Sequence, residues 1–582
     1  MKKRYLWAFF LAVSLVVWMT GCSLKSDNSD SANSNDSADT EDTEQTASDV
    51  AIGVDVADSD FPMRIQYSDD GRRLVTGAGS RNPYYQISSI KRVDLIFTQS
   101  DWWNQMVSNY ESETEIPATI VYNGTMLAYN VGVRFKGDTS YRQNNTEKKS
   151  FNISLDYESD VQDIDGYESL NFNCAFEDDT FVREIIYEAV NQYYIPAVAN
   201  NYIDLYINGE YWGIYVNSQQ VDSDLIKEWF LSKKGTRWRA EPSSNNVPNF
   251  GKGKSALNYL GASASDYEPY YTLKKTYKDD PWSDLIATCA ALDNTSSTSS
   301  TDIASVLDVD RTLWFLACEN VFDDEDSYIH KGGTDYYLYW EVETGRMVPL
   351  EYDGNTTMEF AYAFWSPFYN ENDSNFPLLY KLLQVRKYRQ RYLAHLRTIL
   401  AERFNSTYMD ALIDGHAVLI DSYIQADPKK MMTYAQYTNA LTTLKSIIRS
   451  RYNYLMSNSE VNVSGLTISD TKWTVDGVEW AQPTSSQTVT VTATISGSQG
   501  VDHVYLYGAT GVVGNFAALK MSDDGGHGDG LSGDGIYGCI IPAQSKGTRV
   551  RFYVEAVASN SAGTRTYDPP GAEHDVYVYT VE

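Results

Sequence analysis

The stretch FDDEDSYIHKGGTDYYLYWEVETGRMVPLEYDGN, residues 322–355, places four consecutive acids, Asp323, Asp324, Glu325 and Asp326, just before one aromatic run. Two more, Glu351 and Asp353, follow the next apolar run. The two runs read as a strand pair, so the pattern gathers carboxylates at one end of a hairpin. Side chains at i and i+2 of a strand point to the same face, which predicts that Glu351 and Asp353 act together.

Helical patterns flank this hairpin. DPWSDLIATCAALD (280–293) and DIASVLDVDRTLWFLACENVF (302–322) precede it, and residues 374–457 are mostly helical, beginning with FPLLYKLLQVRKYRQRYLAHLRTILAERF. Cys289 and Cys318 fall on the apolar positions of the preceding helices and read as core residues. Residues 233–280 are polar and irregular and read as a lid or an exposed insertion. Further upstream, RVDLIFTQSDWWNQMV (92–107) reads as a strand entering a helix. ATIVYNGTMLAYNVGVRFKG (118–137) and NYIDLYINGEYWGIYVNSQQVD (201–222) are hairpins with Asn-Gly turns. KKSFNISLDY (148–157) alternates as a strand, and DDTFVREIIYEAVNQYY (178–194) has helical period. From about Val463 to Glu582, Thr-, Val- and Tyr-rich strands alternate with turns, as in a separate antiparallel sandwich. The expected class is therefore α+β followed by an all-β domain.

The N-terminus MKKRYLWAFFLAVSLVVWMTGCS has a basic start, an apolar run and then Met19-Thr20-Gly21-Cys22. It resembles a bacterial lipoprotein signal, which implies lipidation of Cys22 and an extracytoplasmic, membrane-anchored protein; the alternative is an uncleaved anchor. No Lys or Arg occurs between Lys25 and Arg64, and residues 23–60 read as an acidic, self-repelling tether. The 582 residues then divide into 61–460 and 461–582. A net charge of −31 excludes nucleic acid as a partner, because phosphate binding needs a basic stripe. The 45 Tyr and 13 Trp suit β-rich surfaces, interfaces or carbohydrate contact.

The ordered blocks VGVRFKGDTSY, KKSFNISL, DDTFVREIIYEAV, LYINGEYWGIYVNSQQVD, DEDSYIHKGGTDYYLY and MVPLEYDGN resemble the spore-coat protein H (CotH) kinase family over about residues 90–455. The resemblance implies a divergent protein-kinase-like fold and phosphate transfer from ATP to Ser or Thr of a surface protein, with Mg²⁺ or Mn²⁺. It implies Asp326 as the acid that orients the acceptor hydroxyl, in an Asn-x-Asp-x-Tyr pattern whose Asn is Asp324 here. Asp335 stands where the family has Asn and is a candidate second metal ligand. Asp353 and Glu351 stand where the family shows Trp-Asp-x-Asp, so Asp353 matches, while Glu351 and Leu350 depart. Lys148 or Lys149, with Lys149 preferred, Arg134 and Lys136 are phosphate-side candidates, and Arg183 is a candidate organiser of the site. Gln219 and Gln220 occupy the place of a family acid, and a neutral amide cannot make the Lys–Glu pair that kinases use.

His330, near Asp326, is a candidate metal ligand or proton shuttle, although a lone His is more often an ordinary polar residue. SDDGGHGDGLSGDGIYGCIIP (522–542) sets Asp523, Asp524, Asp529 and Asp534 among glycines, a candidate Ca²⁺ loop whose spacing does not fit an EF-hand. Two functions stay open: an exported kinase, or a kinase-like scaffold that binds a partner or polysaccharide.

Overall fold

The computed structural model describes residues 46–77, 83–242 and 251–582. The leader, Cys22 and the tether as far as residue 45 lie outside the described residues. Two strands open the chain, β1 (Ile65–Tyr67) and β2 (Arg73–Thr76). Seven more close a barrel: β3 (Lys91–Ile96), β4 (Ile116–Tyr122), β5 (Thr125–Lys136), β6 (Ser150–Ser154), β7 (Ser169–Asn173), β8 (Asn200–Ile207) and β9 (Glu210–Gln219). Their order is β3-β4-β5-β6-β7-β9-β8, and the parallel pairing of β3 with β8 closes the ring. The connections carry α1 (Trp102–Asn109), α2 (Thr139–Arg142) and α3 (Arg183–Asn191), and α4 (Ser223–Trp229) follows β9. Both Asn-Gly turns occur as read: Asn123 and Gly124 have φ of 49° and 78°, Asn208 and Gly209 of 50° and 83°. Such left-handed pairs match the twist of a two-residue hairpin. Inside the barrel, alternate residues such as Val93, Leu95, Val133, Phe135, Phe151 and Ile153 form one core.

Beyond the barrel, β10 (Arg237–Ala240), β11 (Thr272–Lys275), β12 (Tyr336–Glu341) and β13 (Arg346–Leu350) form a sheet in the order β11-β10-β12-β13. The stretch 233–280 is therefore only partly irregular: β10 inserts between β11 and the hairpin β12–β13 and brings Arg239 to its side. Residues 243–250 within it lie outside the described residues. Between β11 and β12 run α5 (Ser283–Asp293), α6 (Thr301–Val306) and α7 (Val309–Val321), the last capped by Asp308, whose carboxylate accepts from Arg311 N at 3.1 Å. Cys289 and Cys318 are buried on α5 and α7. After β13 come α8 (Pro377–Leu382), α9 (Arg386–Glu402), α10 (Ser406–Ala426) and α11 (Tyr434–Ser457), which share a second large core with α3 and α7. Among the described residues no helix is long and apolar enough to cross a membrane.

The C-terminal strands are β14 (Thr467–Val475), β15 (Val478–Glu479), β16 (Val489–Ser496), β17 (Val501–Thr510), β18 (Ala517–Met521), β19 (Ile536–Ile541), β20 (Arg549–Ala558), β21 (Arg565–Asp568) and β22 (Asp575–Thr580). They make two sheets, β15-β14-β16-β19 and β1-β2-β22-β20-β17-β18, with β21 beside β20. Trp473, Val491, Leu506 and Phe552 from both sheets meet in one core. Two boundaries move. β2 pairs with β22 in the register Arg73↔Tyr577, so the C-terminal sheet takes two strands from the block read as 61–460. The end of the tether is also structured: Ala47 N donates to Ala518 O at 2.8 Å, Ala51 bridges Ala509, and Asp55 and Asp58 pair with Arg549.

Candidate active site

The acid-bearing loop after α7 is fixed from below. Glu319 accepts from Ser327 Oγ at 2.5 Å and from Ile329 N at 3.1 Å. Asp324, fully buried, accepts from Tyr187 Oη on α3 at 3.0 Å and from Asp326 N at 3.1 Å. These bonds turn Asp326 outward, where its side chain is 30% exposed and pairs with Lys331. The same ammonium lies 3.0 Å from Asp335, and Arg239 of β10 holds Asp335 from the other side at 2.9 Å. Arg239 packs over the rings of Tyr352 and Tyr337, with its guanidinium 4.9 and 5.7 Å from their centroids.

Asp353 completes the group from the turn after β13, with φ of 72°. Its field is set by Lys136 at the end of β5, then Asp335, Arg239 and Lys331. Lys136 donates to Asn173 Oδ1 at 2.9 Å, and Asn173 Nδ2 donates in turn to Glu184 at 2.8 and 3.1 Å. Ser218 of β9 also donates to Glu184. A barrel-strand lysine is thus linked through one amide to an acid in the first turn of α3.

Electrostatics follow from this packing. Burial pushes Asp326 up to about 7, opposed by Lys331 and reinforced by Asp335 and Asp353. Burial works to raise Asp335 too, but Arg239 and Lys331 hold it below the ordinary carboxylate range. Burial raises Glu184 to about 7, with Asp353 adding to the rise. Burial lowers Lys136, against the pull of Asp353 and Glu184.

The structure holds Asp326 and Asp335 on one ammonium with Asp353 in their field, and turns Glu351 toward α3. β13 ends at Leu350 and the backbone turns left-handed at Asp353, so the i, i+2 alternation does not reach that residue. Glu351 is fully buried and faces Glu188 of α3. The two lysines favoured as phosphate ligands are also elsewhere. Lys148 is wholly buried against Asp427, and Lys149 donates to the carbonyls of Tyr141, at 2.8 Å, and Asn144. Arg134 shares the face of β5 with Lys136 and pairs with Glu113 at 3.6 Å. Arg183 pairs with Glu359 at 3.1 Å and so ties α3 to the segment after Asp353. His330 lies 3.1 Å from Tyr369 Oη and packs on Trp365, away from the three aspartates.

Gln219 donates to Glu228 at 2.8 Å in another network, so its neutrality takes nothing from the lysine. Glu184 is the acid that Asn173 links to Lys136. Its only sequence signal was a position beside Arg183 in the first turn of a helix. Lys331 and Arg239 were missed as well, since nothing local marks a lysine in a loop or an arginine on a four-residue strand.

In the C-terminal loop the four aspartates serve the loop itself. Asp523 accepts from Gly533 N and Gly535 N, Asp529 from Asp524 N, Gly525 N and His527 N, and Asp534 from Leu531 N and Ile536 N. Asp524 takes Gly526 N and the His527 ring. These are the carboxylates that the sequence offered as a candidate Ca²⁺ loop. Among the described residues no group of three or more His, Cys, Asp or Glu is arranged to hold a metal ion.

A model of the CotH kinase protein family matches residues 133–455, more than half of the chain. No curated protein matches it. The match covers the last strands of the barrel, the acid-bearing hairpin and the helices behind it, and the chain belongs to the CotH kinase family.

Proposed function

We propose that the protein is an exported kinase, lipid-anchored through Cys22, that transfers the γ-phosphoryl group of ATP to a Ser or Thr hydroxyl of a surface protein. In this reading the barrel, hairpin sheet and helices are a divergent protein-kinase-like fold, and the two C-terminal sheets are an immunoglobulin-like sandwich. One observation carries it: Asp326 and Asp335 share the Lys331 ammonium, Asp353 lies in their field and in that of Lys136, and Asn173 links Lys136 to Glu184.

The donor set fits Mg²⁺ or Mn²⁺, since Mg²⁺ needs one or two carboxylates and completes its shell with phosphate and water. Asp353 and Asp335 would hold the ion, which when bound would neutralise phosphate charge. Lys136 would meet the nucleotide phosphates, kept in place by Asn173 and Glu184. Asp326 would accept the proton of the acceptor hydroxyl; its rise to about 7 places it near the pH at which a base works best. The acceptor oxygen bonds to the γ-phosphorus as the bridging P–O bond breaks, and that electron pair leaves on ADP.

The test is ATP binding and labelled-phosphate transfer by the full chain in detergent with Mn²⁺. Asp326→Ala should retain nucleotide and lose transfer by about 10²-fold or more, as expected for removal of a positioned base. Asp353→Ala and Lys136→Met should lose nucleotide affinity, while Lys149→Met should not. Absence of nucleotide binding in the wild type would sink the kinase reading. The scaffold reading would then stand, with Phe360 and Phe364, 66% and 50% exposed after the Asp353 turn, as the surface to probe.

A further inference from the structure

Three cations border the three aspartates, and they are held differently. Arg239 packs over two rings and pairs with both Glu241, at 3.0 Å, and Asp335. Lys136 is half-buried and bonded to Asn173. Lys331 alone among them touches two of the aspartates with one ammonium, Asp326 and Asp335, and its side chain remains 24% exposed. Its backbone is anchored, because Thr334 Oγ1 donates to the Lys331 carbonyl at 2.7 Å and a Cβ on Gly333 would overlap Ala256. The mobile part is therefore the four-carbon stem and its point charge.

Resting on the kinase reading, we propose that Lys331 is the resident counter-ion of the Asp326–Asp335 pair, that it yields Asp335 to the divalent cation and Asp326 to the acceptor hydroxyl, and that it then faces the transferred phosphoryl group. The physical case is competition. Two carboxylates sharing one ammonium repel each other when it leaves, and a divalent cation on Asp335, beside Asp326, offsets that repulsion more fully than a single positive charge does. A lysine freed there, on a fixed backbone beside Asp326, has the phosphate charge as its nearest new partner. A purely structural lysine would aid metal binding by ordering the acids. A counter-ion opposes it. The two ideas predict opposite signs.

The experiment measures Mn²⁺ affinity of the full chain by electron paramagnetic resonance without nucleotide, and ATP-dependent transfer separately. Removing the competitor in Lys331→Met should tighten Mn²⁺ binding by about 10-fold, corresponding to roughly 1.4 kcal/mol. The same change should lower kcat by about 10²-fold, as for loss of one preorganised charge, with KM for ATP within about 3-fold. Lys331→Arg keeps the charge and should bind Mn²⁺ as the wild type does while recovering part of kcat. Thermal melting confirms that each variant is folded. Equal or weaker Mn²⁺ binding by Lys331→Met, in a wild type that binds ATP and transfers phosphate, overturns this role and leaves the kinase reading intact. A wild type that binds neither Mn²⁺ nor ATP overturns both.

Discussion

Glu188 and Glu351 face each other with no exposed surface, and neither carboxylate meets a donor in hydrogen-bond geometry. Two such groups are stable together only with a proton between them. Burial raises Glu351 to about 7, and burial and Glu351 raise Glu188 well above its ordinary value. Unfolded, both would titrate near 4.3. The folded protein therefore holds more protons than the unfolded chain above that pH. The stabilising contribution is complete below about 4.3 and is lost as pH rises toward 7 and beyond, at up to about 1.4 kcal/mol per pH unit for each proton. Glu188→Gln supplies a permanent N–H to Glu351 and removes one of these protons. Its melting temperature should fall less than that of the wild type between pH 5 and 8; parallel curves would refute the shared proton. The same residue shows where sequence reading stopped. Asp353 and Asp326 stood out as candidates because family spacing marks them. The opposite direction of Glu351 was not, because it depends on where β13 ends and on a left-handed φ two residues later.

At the scale of elements, α3 is the part that unites the site. It carries Glu184 toward Lys136, Arg183 toward Glu359, and Tyr187 toward Asp324. Gly354, next to Asp353, lies against the Tyr187 ring so closely that a Cβ there would overlap it. Gly354→Ala must push either the helix or the Asp353 turn aside. The expected cost is about 1–3 kcal/mol, typical of overpacking, and transfer should fall further than folding accounts for. Denaturant titration beside the labelled-phosphate assay checks this, and a variant of wild-type stability and rate would rule out the tight contact. Most of these elements were readable. Asn-Gly turns fixed two hairpins, and helical period marked α7 and α9. Closure of the barrel was not readable, since β3 and β8 meet in parallel about a hundred residues apart and no local pattern encodes that pairing. Nor was β10, whose Arg-Trp-Arg-Ala alternates over only four residues, too few to mark a strand, and which pairs on both sides with distant neighbours. The choice between Lys149 and Lys136 was hidden for a related reason. Lys136 ends β5 while Lys149 stands just before β6, and only the packing around them turns one to Asn173 and the other to the carbonyls of Tyr141 and Asn144.

For the whole molecule, the C-terminal sheets read from sequence as a separate module, and the packing joins them to the helical body. Asp310 of α7 accepts from His395 Nε2 at 2.8 Å, pairs with Arg391 Nε at 2.7 Å, and accepts from Glu573 N at 3.0 Å. Arg391 goes on to Tyr553 Oη at 2.7 Å and Glu573 at 3.2 Å, and Trp314 Nε1 donates to Ala572 O at 3.2 Å. Two helices of the body and the strand and loop residues 553–573 thus share one buried charge. Although burial opposes it, Arg391 and His395 hold Asp310 far below the ordinary range. A depressed carboxylate gives stability that is present above the unfolded value near 3.9 and is lost only as pH falls below it, so this joint holds across neutral pH. Removing Asp310 would leave Arg391, whose side chain is 14% exposed, with Glu573 as its one remaining paired acid among the described residues, and would take the acceptor from Glu573 N. Breaking a buried pair from one side costs about 3–5 kcal/mol, more than an exposed pair is worth. The wild type should therefore melt in one transition that includes both the helices and the C-terminal sheets. Asp310→Ala should lower that transition and begin to separate the two parts. Calorimetry of both proteins decides the matter: two resolved transitions in the wild type would mean that the sheets are an appended module after all, and that the shared charge does not couple them.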